Sequence, residues 1–388
     1  MSAHSPITGR HVVFLSWRDL RNPEGGGAEL YLHHIARGLV ERGAVVTVFC
    51  AAHDQAPPDD VIDGVRYLRR SSKMRVYGAG FLRLLTGRLG RVDVVVDVQN
   101  GLPFFTRLAT WKPVVVLIHH VHREQWPVVY PGLIGKVGWW IESRFAPRLY
   151  RGCQYVAVSR ATRRELVDLG VGADRIAIVH NGVTPVPDPG VERTPHPSMC
   201  LVSRLVPHKQ VEHAIDAVVL LREEMPDLTL TVVGSGWWEA ELHAHAEQVG
   251  AGDSVVFTGH VTDAEKHAVY ARSWVMALPS LKEGWGLVIG EAGQHATPAV
   301  AYASAGGTQE SIIDDYSGLL AEDWEGFVSS LRLVLSDAEQ RAKLAAGART
   351  ISDEYTWEHA QGSFAEVLAA ALDGRRTSTQ DPNEIPAG

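Results

Sequence analysis

The sequence is poor in cysteine and has no long apolar run. Its three cysteines, Cys50, Cys153 and Cys200, are widely spaced among 388 residues and form neither a CxxC pair nor a metal-ligand pattern. This excludes a disulfide-stabilised secreted scaffold and predicts a reducing compartment. No apolar run approaches the length of a membrane span, and the first residues, MSAHSPITGRH, contain no apolar signal core. We therefore expect a cytoplasmic protein, and peripheral contact with the inner face of a membrane stays open.

Basic residues are fewer than acidic residues in the whole chain. The formal net charge is -8, from 37 basic and 45 acidic residues, so bulk electrostatics predicts no nucleic-acid partner. No GxGxxG motif follows the first predicted strand, and no acidic residue closes a matching second strand, which argues against a nicotinamide-dependent dehydrogenase. The hydrophobic fraction of 45% is ordinary for a soluble globular protein. Because the length exceeds one usual hydrophobic core, two domains are expected.

Buried-strand patterns alternate with helical patterns along the chain. The predicted strands are short apolar runs, at 11–17, 45–50, 93–98, 114–118, 155–159, 176–179, 199–203, 229–233, 255–258, 274–278 and 300–302. The predicted helices include 28–41, 161–169 and 357–372. This alternation predicts α/β domains built on doubly wound parallel sheets. Five prolines in VTPVPDPGVERTPHP interrupt the pattern and predict a linker at 186–197.

The segment from Leu278 to Ala292, LPSLKEGWGLVIGEA, carries the strongest functional signal. Glu283 lies in a loop at the carboxyl end of a buried strand, the edge where ligands of open α/β sheets bind. The free amides around Gly286, Leu287 and Val288, at the start of the next helix, form an anion site. Glu291 follows about one turn into that helix. Two carboxylates beside an anion site suit a ligand with hydroxyls and phosphate. If the two glutamates are considered without the other motifs, an equal alternative is that both are ordinary surface residues, one in an exposed loop and one on a helix.

Two cations follow the first strand after the linker. Arg204 and Lys209 lie in RLVPHKQ, well placed for a diphosphate, although two solvated surface charges would give the same pattern. In the N-terminal half, three glycines, of which Gly26 and Gly27 are the candidates, follow strand 11–17 and would let a ligand approach the backbone. A simple tight turn is the better interpretation of those glycines alone.

His119 begins a histidine cluster, HHVH, at the end of strand 114–118. Helical i, i+4 ligand spacing is absent, and no cysteine or second carboxylate cluster lies beside it. The sequence also contains no Asp-x-Asp pair, a common magnesium-binding element of nucleotide-sugar enzymes. We therefore predict no metal site, and one polar contact from His119 to a ligand.

The segment Gly138–Tyr150, GWWIESRFAPRLY, is aromatic and basic. It fits either a surface facing a membrane or an acceptor, or a helix that buries Trp139, Trp140 and Phe145 in the core, and helical spacing favours the core.

Taken in order, these motifs resemble the retaining glycosyltransferases of family 4. The resemblance runs from about Val12 to Phe364, and its most specific parts are PS followed by EGWGLVIGEA, then AGGTQESI and SGLL. It implies the GT-B architecture, with two Rossmann-like doubly wound domains facing a cleft. The domains expected are 1–185 on the acceptor side, the linker 186–197, a nucleotide-sugar domain at 198–354, a helix at 355–373 that returns to the first domain, and a disordered tail at 374–388.

The resemblance also implies roles for the residues identified above. Glu283 would bind the sugar hydroxyls and His119 would contact the reacting sugar. The remaining donor-binding residues would grip the ribose and diphosphate or approach the donor; they are Gly26, Gly27, Arg204, Lys209, Gly286, Leu287, Val288 and Glu291. The expected partners are a nucleotide-sugar donor, of GDP-mannose or UDP-hexose type, and a glycan, lipid or small-molecule acceptor, with no metal or other cofactor.

Several positions depart from the family pattern. Ser203 and Gln210 replace usual glycines beside Arg204 and Lys209, and Trp285 replaces a usual phenylalanine. The helix after Glu291 reads AGQHATP, where small residues and a glycine before the proline are commoner. These changes keep the charged groups, so they bear on donor identity more than on reaction class. Two alternatives stay open: a GT-B relative with other nucleotide-sugar chemistry, such as epimerisation or non-glycosidic coupling, and a catalytically silent binding subunit.

Overall fold

The computed structural model describes residues 5–379, which form two units, 5–182 with 357–379 and 183–356. The sheet of the first unit has eight strands: β1 His11–Leu15, β2 Val45–Cys50, β3 Asp59–Ile62, β4 Val65–Arg69, β5 Val94–Gln99, β6 Val114–Ile118, β7 Gln154–Ala157 and β8 Ile176–Ile178. Their order is β3-β4-β2-β1-β5-β6-β7-β8. All neighbours are parallel except β3 and β4, so the sheet is doubly wound from β1 in both directions.

Helices connect these strands and cover the sheet. In chain order they are α1 Gly27–Glu41, α2 Val76–Leu85, α3 Thr106–Ala109, α4 Gln125–Val129, α5 Leu133–Trp140, α6 Ala146–Leu149 and α7 Arg160–Asp168, with a π-helical turn, Ile141–Phe145, between α5 and α6. Every residue of β5 and β6 is buried. Continuous apolar runs are expected of parallel strands that have helices on both faces, and β5 and β6 therefore form the centre of this core.

The second unit has a six-stranded parallel sheet. Its strands are β9 Ser198–Val202, β10 Thr229–Val233, β11 Val255–Gly259, β12 Val275–Leu278, β13 Ala299–Tyr302 and β14 Gly318–Ala321. The order β11-β10-β9-β12-β13-β14 is the Rossmann order 3-2-1-4-5-6. The chain reverses its direction of winding between β9 and β12, and ligands of such sheets bind at the carboxyl ends of the strands at that point.

The helices of the second unit lie between these strands. They are α8 Val211–Leu221, α9 Glu239–Gln248, α10 Asp263–Arg272, α11 Leu287–Gly293, α12 Thr308–Ser311, α13 Trp324–Ser336 and α14 Ala338–Glu354. The predicted α/β class and the two doubly wound sheets are confirmed. Within the described range 5–379, no helix has both the length and the apolar character needed to cross a membrane.

The last helix, α15 (Trp357–Leu372), packs in the first unit. Its Phe364 ring stacks on Phe14 of β1, with 6.1 Å between centroids, and its Gln361 Nε2 donates to the carbonyl of His34 at 3.0 Å. Gly38 of α1 makes this contact close, because a Cβ there would lie 2.2 Å from Gln361 Cγ. The first unit is therefore built from both ends of the chain.

Two segments differ from the sequence expectation. The segment predicted as a linker, 186–197, is fixed to the second unit: Val186 N donates to Gln294 Oε1 at 3.0 Å, and Trp274 Nε1 donates to the carbonyl of Thr194 at 2.9 Å. The described start of the predicted disordered tail, 374–379, is also hydrogen-bonded, since the backbone of Thr377 exchanges two hydrogen bonds of 2.9 Å with the amide of Gln154. Residues 380–388 of that tail lie outside the described residues.

Candidate active site

The loops after β9 and β12 meet at the winding reversal of the second sheet. The two strands are neighbours, with Met199 opposite Val275, so their carboxyl ends open side by side. The backbone amide of Leu281 donates to the carbonyl of His208 at 2.9 Å and joins the two loops. Lys209, in a 3-10 turn after β9, places its Nζ 2.5 Å from Glu283 Oε1. The sequence-predicted cation and carboxylate are thus brought together.

Glu283 and Lys209 form a largely buried ion pair. Their side chains are 11% and 14% exposed. Burial favours the neutral acid, but the adjacent ammonium of Lys209 outweighs it and holds the pKa of Glu283 below its ordinary value. Glu283 is therefore an ionised acceptor at neutral pH. Loss of either partner would leave an uncompensated charge in a poorly solvated place.

A third loop, after β13, holds the backbone of Glu283. The amide of Glu283 donates to the carbonyl of Ala305 at 2.7 Å, and the amide of Gly307 donates to the carbonyl of Glu283 at 3.0 Å. A Cβ on Gly307 would lie 2.2 Å from the carbonyl oxygen of Gly284. The glycine pair in AGGTQESI therefore has a structural use, because only glycine allows this approach.

Gly286 places the start of α11 beside the same loops. It adopts φ +85°, and a Cβ there would lie 2.8 Å from Ile289 Cδ1. Only glycine adopts this backbone readily. Leu287 and Val288 then form the first turn, where amides have no partner within the helix. The predicted amide positions thus open the helix that carries the second carboxylate.

Glu291, the second carboxylate, is held by two residues of α10 that the sequence analysis missed. Lys266 Nζ lies 3.0 Å from Glu291 Oε1, and the hydroxyl of Tyr270 donates to Glu291 Oε2 at 3.0 Å. Burial opposes the charge of Lys266, but Glu291 outweighs it and raises the lysine pKa. Lys266 and Tyr270 are spaced i, i+4 and share one helix face, which is the signal the sequence contained.

Arg204 is exposed on the loop that also carries Lys209. The exit of β10 supports this loop: Leu205 N donates to the carbonyl of Ser235 at 3.0 Å. Glycines 234 and 236 permit the contact, because a Cβ on either would lie about 2 Å from a carbonyl oxygen of the β9 loop, 1.9 Å for Gly234 and 2.1 Å for Gly236. The backbone bearing Arg204 is therefore fixed while its side chain reaches solvent.

In the first unit, His119 follows β6 and is buried. Its ring meets Tyr31 of α1 edge-on at 5.2 Å between centroids, and its backbone carbonyl accepts a hydrogen bond from Thr162 Oγ1 at 3.2 Å. The buried Nε2 of His119 has no hydrogen-bond partner within the described structure. Burial, and secondly the charge of His122, lowers the pKa of His119 to about 3. His119 is therefore a neutral imidazole with one unused nitrogen.

Gly26 and Gly27 lie at the junction of the loop after β1 with α1. The amide of Gly26 donates to Glu29 Oε2 at 2.8 Å, and Glu29 Oε1 accepts from Arg18 Nε at 3.0 Å. Both charged side chains are buried. A buried ion pair thus fixes the predicted glycine turn at the start of α1.

The histidines after His119 have separate partners. His122 Nδ1 lies 3.0 Å from Glu142 Oε1, and His120 Nε2 lies 3.3 Å from Gln125 Oε1. Across residues 5–379, no group of three or more histidine, cysteine, aspartate or glutamate side chains is arranged to hold a metal ion. Metal independence of the reaction stays a prediction, since it concerns activity.

Comparisons with known proteins decide the family. The model described as Glycosyltransferase Family 4 matches residues 25–186, and the model described as Glycosyl transferases group 1 matches residues 188–351. A D-inositol 3-phosphate glycosyltransferase from Xylanimonas cellulosilytica is 30% identical, over 91% of this chain and 93% of the relative. The chain belongs to glycosyltransferase family 4.

Solved structures agree with the GT-B fold of this glycosyltransferase. A sucrose-phosphate synthase from Thermosynechococcus elongatus superposes with a TM-score of 0.79 at 18% identity, covering 94% of this chain and 99% of that one. The Anabaena protein HepE, solved in complex with UDP-glucose, gives a TM-score of 0.71 at 20% identity, covering 93% and 99%. The resemblance inferred from the motifs is confirmed.

The departures from the family pattern have local explanations in this glycosyltransferase. Gln210, where the family usually has glycine, keeps a left-handed backbone with φ +47°, and so does Ala296 of the AGQHATP segment with φ +52°. Trp285 is buried, and its ring meets Tyr355 edge-on at 4.7 Å. The substitutions therefore retain the loop geometry, with backbone strain at two positions and an aromatic packing contact at the third.

Proposed function

We propose that this glycosyltransferase moves a hexose from a nucleoside-diphosphate sugar, of GDP-mannose or UDP-hexose type, to a hydroxyl group with retention of anomeric configuration. The acceptor is a glycan, a glycolipid or a small molecule. The observation that carries this proposal is the charged group at the winding reversal of the second sheet, where Lys209 and Glu283 are joined by a 2.5 Å contact beside the start of α11.

The two carboxylates match the two polyhydroxylated parts of such a donor. We assign the sugar hydroxyls to Glu283 and the ribose hydroxyls to Glu291. Both carboxylates are hydrogen-bond acceptors that are paired with a lysine, Lys209 and Lys266 respectively. Arg204, Lys209 and the amides of Leu287 and Val288 supply positive charge and hydrogen-bond donors for the diphosphate. These roles rest on the family resemblance and on the convergence of the loops.

The chemistry follows from where charge develops. The bond between the anomeric carbon and the phosphate oxygen breaks, and the nucleoside diphosphate leaves with the bonding electrons. The acceptor oxygen bonds to the anomeric carbon on the same face, and its proton passes to the departing phosphate oxygen. Arg204, Lys209 and helix amides stabilise the leaving group more as its charge grows, which lowers the barrier. The neutral His119 offers a hydrogen-bonding nitrogen without adding charge.

The names of similar proteins support a proposal for the donor and a proposal for the acceptor. HepE was solved with UDP-glucose, which supports a UDP-hexose, and the Xylanimonas relative is named for an inositol phosphate acceptor, which supports a small acceptor. The acceptor side is expected in the first unit, where Gly26, Gly27 and His119 lie.

The test uses the purified full-length chain. It is first screened against UDP- and GDP-sugars by thermal shift, and the stabilising donors are then incubated with candidate acceptors and analysed by mass spectrometry. We expect one nucleotide class to raise the melting temperature and to yield an acceptor heavier by one hexose. Nuclear magnetic resonance of the product's anomeric proton then reports retention or inversion.

The outcomes separate the alternatives. A free epimerised sugar nucleotide, or nucleotide release with a non-glycosidic product, would replace transfer by other GT-B chemistry. Stabilisation by a donor with no turnover under any acceptor would indicate a silent binding subunit. An inverted product would refute retention while leaving the donor site intact.

A further inference from the structure

Apolar side chains are exposed in one short stretch of the first unit. Six of the twenty large apolar side chains that are exposed within residues 5–379 lie between positions 128 and 140; they are Val128, Val129, Leu133, Ile134, Val137 and Trp140. Leu133 is 76% exposed and Ile134 69%. We call these six side chains the outer face. Clustered exposure of this kind marks an interaction site, whereas single exposed apolar residues are ordinary.

The inner side of the same helix explains why the apolar residues point outward. The fully buried residues of α5 are Gly135 and Gly138, and of its large side chains only Trp139 packs on the core. A Cβ on Gly135 would lie 2.2 Å from the carbonyl oxygen of Tyr130, and one on Gly138 would lie 2.3 Å from Trp126 Cζ3. The glycines therefore let α5 pack closely on α4. An ordinary amphipathic helix buries its apolar side, whereas α5 exposes four of its five large apolar side chains.

A buried carboxylate holds this arrangement in place. Glu142, in the π-helical turn after α5, accepts hydrogen bonds from Trp126 Nε1 at 2.6 Å and from the backbone amide of His122 at 3.2 Å. The indole that packs against the glycines is thus fixed at its polar end. Glu142 therefore joins α4, the segment after β6 and the turn after α5 behind the outer face.

The exposed charges close in sequence to the outer face have one sign. Between residues 125 and 151, Glu142 is the only acidic residue, and it is buried. The charged side chains exposed in that stretch are all cations, namely Lys136, Arg144, Arg148 and Arg151. The whole chain carries a net charge of -8, so this cationic surface contrasts with the rest of the molecule.

We propose that the outer face and its flanking cations dock this protein on a membrane surface that carries anionic lipids. The apolar side chains enter the boundary between headgroups and acyl chains, and the cations remain at the headgroups. α5 has eight residues and is about 12 Å long, so it lies in the interface and does not cross the bilayer. The proposal does not depend on the proposed reaction, because no substrate is involved.

The charge pattern favours a lipid surface over a second copy of the chain. A two-fold interface places the same patch on both partners, so Lys136 and Arg144 of one copy would face the same cations of the other. An anionic bilayer offers the complementary charge together with an apolar layer. A partner protein would need both features in one surface, and is distinguished by the experiment below.

Vesicle flotation with the full-length protein tests the proposal. We expect co-flotation with vesicles that contain phosphatidylglycerol, weaker binding to phosphatidylcholine alone, and loss of binding as salt is raised. Ile134→Asp should weaken binding to the anionic vesicles by about tenfold or more. Ile313→Asp is the matched control, since Ile313 is 48% exposed in the second unit, and it should bind as the wild type does.

A site-specific fluorophore gives a second measurement that a folding defect would not mimic. Cys50, Cys153 and Cys200 are buried, so a cysteine introduced by Ile134→Cys can be labelled selectively with an environment-sensitive dye. Its emission should shift to the blue on anionic vesicles, and that of labelled Ile313→Cys should not.

Four results would overturn the proposal. These are failure of the wild type to bind anionic vesicles, equal binding to neutral vesicles, equal effects of Ile134→Asp and Ile313→Asp, and a protein dimer in sedimentation that Ile134→Asp dissociates. The last result would assign the outer face to a second copy.

Discussion

The two sheets end in chemically different groups. At the winding reversal of the second sheet, Glu283 and Glu291 are each paired with a lysine, at 2.5 Å and 3.0 Å. At the end of β6 in the first sheet, His119 is buried, neutral and has an unused nitrogen. The same βα architecture therefore places two lysine-paired carboxylates near one sheet end and an uncharged imidazole at the end of β6.

This difference indicates that the two groups have different roles in the proposed reaction. A ligand that displaces one partner of such a pair must itself supply a replacement, as a diphosphate and a set of hydroxyls would, because unpaired buried charges are costly. A neutral imidazole can stay unpaired at a smaller cost and remains available for a transient contact. Substitutions at Glu283, Arg204, Lys209 and His119 test whether the two groups differ in this way.

The largest effect is expected from Glu283→Gln. The amide keeps the shape of the side chain but loses the charge that pairs with Lys209 and that, in the proposed site, accepts hydrogen bonds from sugar hydroxyls. We expect kcat at saturating donor to fall on the order of a hundredfold, from a loss of about 2–3 kcal/mol in the transition state. Steady-state kinetics measures this, with the exposed Glu322→Gln as control. A near-wild-type kcat would contradict the assignment of Glu283 to the sugar-binding site.

The next effect concerns Arg204 and Lys209 as one diphosphate clamp. Each alanine variant should weaken binding of the nucleoside diphosphate by about tenfold and leave binding of the free nucleoside unchanged. Because Lys209 also compensates Glu283, the two substitutions should be coupled and not additive. Isothermal titration with both ligands gives the double-mutant cycle. If the double variant binds diphosphate as the wild type does, Arg204 and Lys209 are solvated surface charges and not part of the diphosphate site.

A pH-dependent effect on stability is expected from His119. Its pKa is about 3 in the folded chain and about 6.5 when unfolded, so the unfolded state binds the extra proton between these values. Stability is therefore full above about pH 6.5 and falls with acidification, by about 1.4 kcal/mol per pH unit for this group. Thermal melts of His119→Asn should lose part of this slope, and melts of the exposed His260→Asn should match the wild type. Identical slopes in all three would contradict the neutral assignment.

A small gain in stability is expected from Gln210→Gly. Gln210 has φ +47°, a conformation that glycine adopts without the steric cost that a side chain incurs. We expect the free energy of unfolding to rise by up to about 1 kcal/mol. Gln248→Gly, at the end of α9, is the control and should destabilise by about the same amount. Urea unfolding monitored by fluorescence compares them, and a loss of stability in Gln210→Gly would contradict the strain.

The smallest effect, none at all, is expected on removing metal ions. In the proposed site, Arg204, Lys209 and the start of α11 take the place of the positive charge that a magnesium ion would otherwise provide. Protein treated with chelator should keep its transfer rate. Strict dependence on added Mg²⁺ or Mn²⁺ would reopen His119, His120 and His122 as candidate ligands.

The elements with strong internal patterns could be predicted from the sequence. The strands 114–118 and 229–233 and the helix 357–372 are where the structure has them, because buried parallel strands and amphipathic helices each impose a pattern on their own residues. The hairpin of β3 and β4 was missed. Its turn, Asp63-Gly64, has φ +48° and +77°, and the Asp-Gly pair was a usable hairpin signal.

The sequence could predict only those site residues that lie in the loops directly after strands. Lys209 and Glu283 follow adjacent strands, so sequence position alone brought them together. Lys266 and Tyr270 reach Glu291 through the packing of α10 on α11, which depends on tertiary structure. Trp139 and Trp140 show the same limit: one packs on the core and the other is 56% exposed, because the glycines of α5 decide which side is buried.

The position of α15 has a consequence for the order in which the protein is made. The ribosome completes the whole second unit before it adds Trp357, so a nascent first unit waits with Phe14 and the surface of α1 uncovered. The second unit is contiguous and can fold as it emerges. A premature stop codon ahead of residue 357 would thus remove part of the core of the first unit, although the missing codons follow those of the entire second unit.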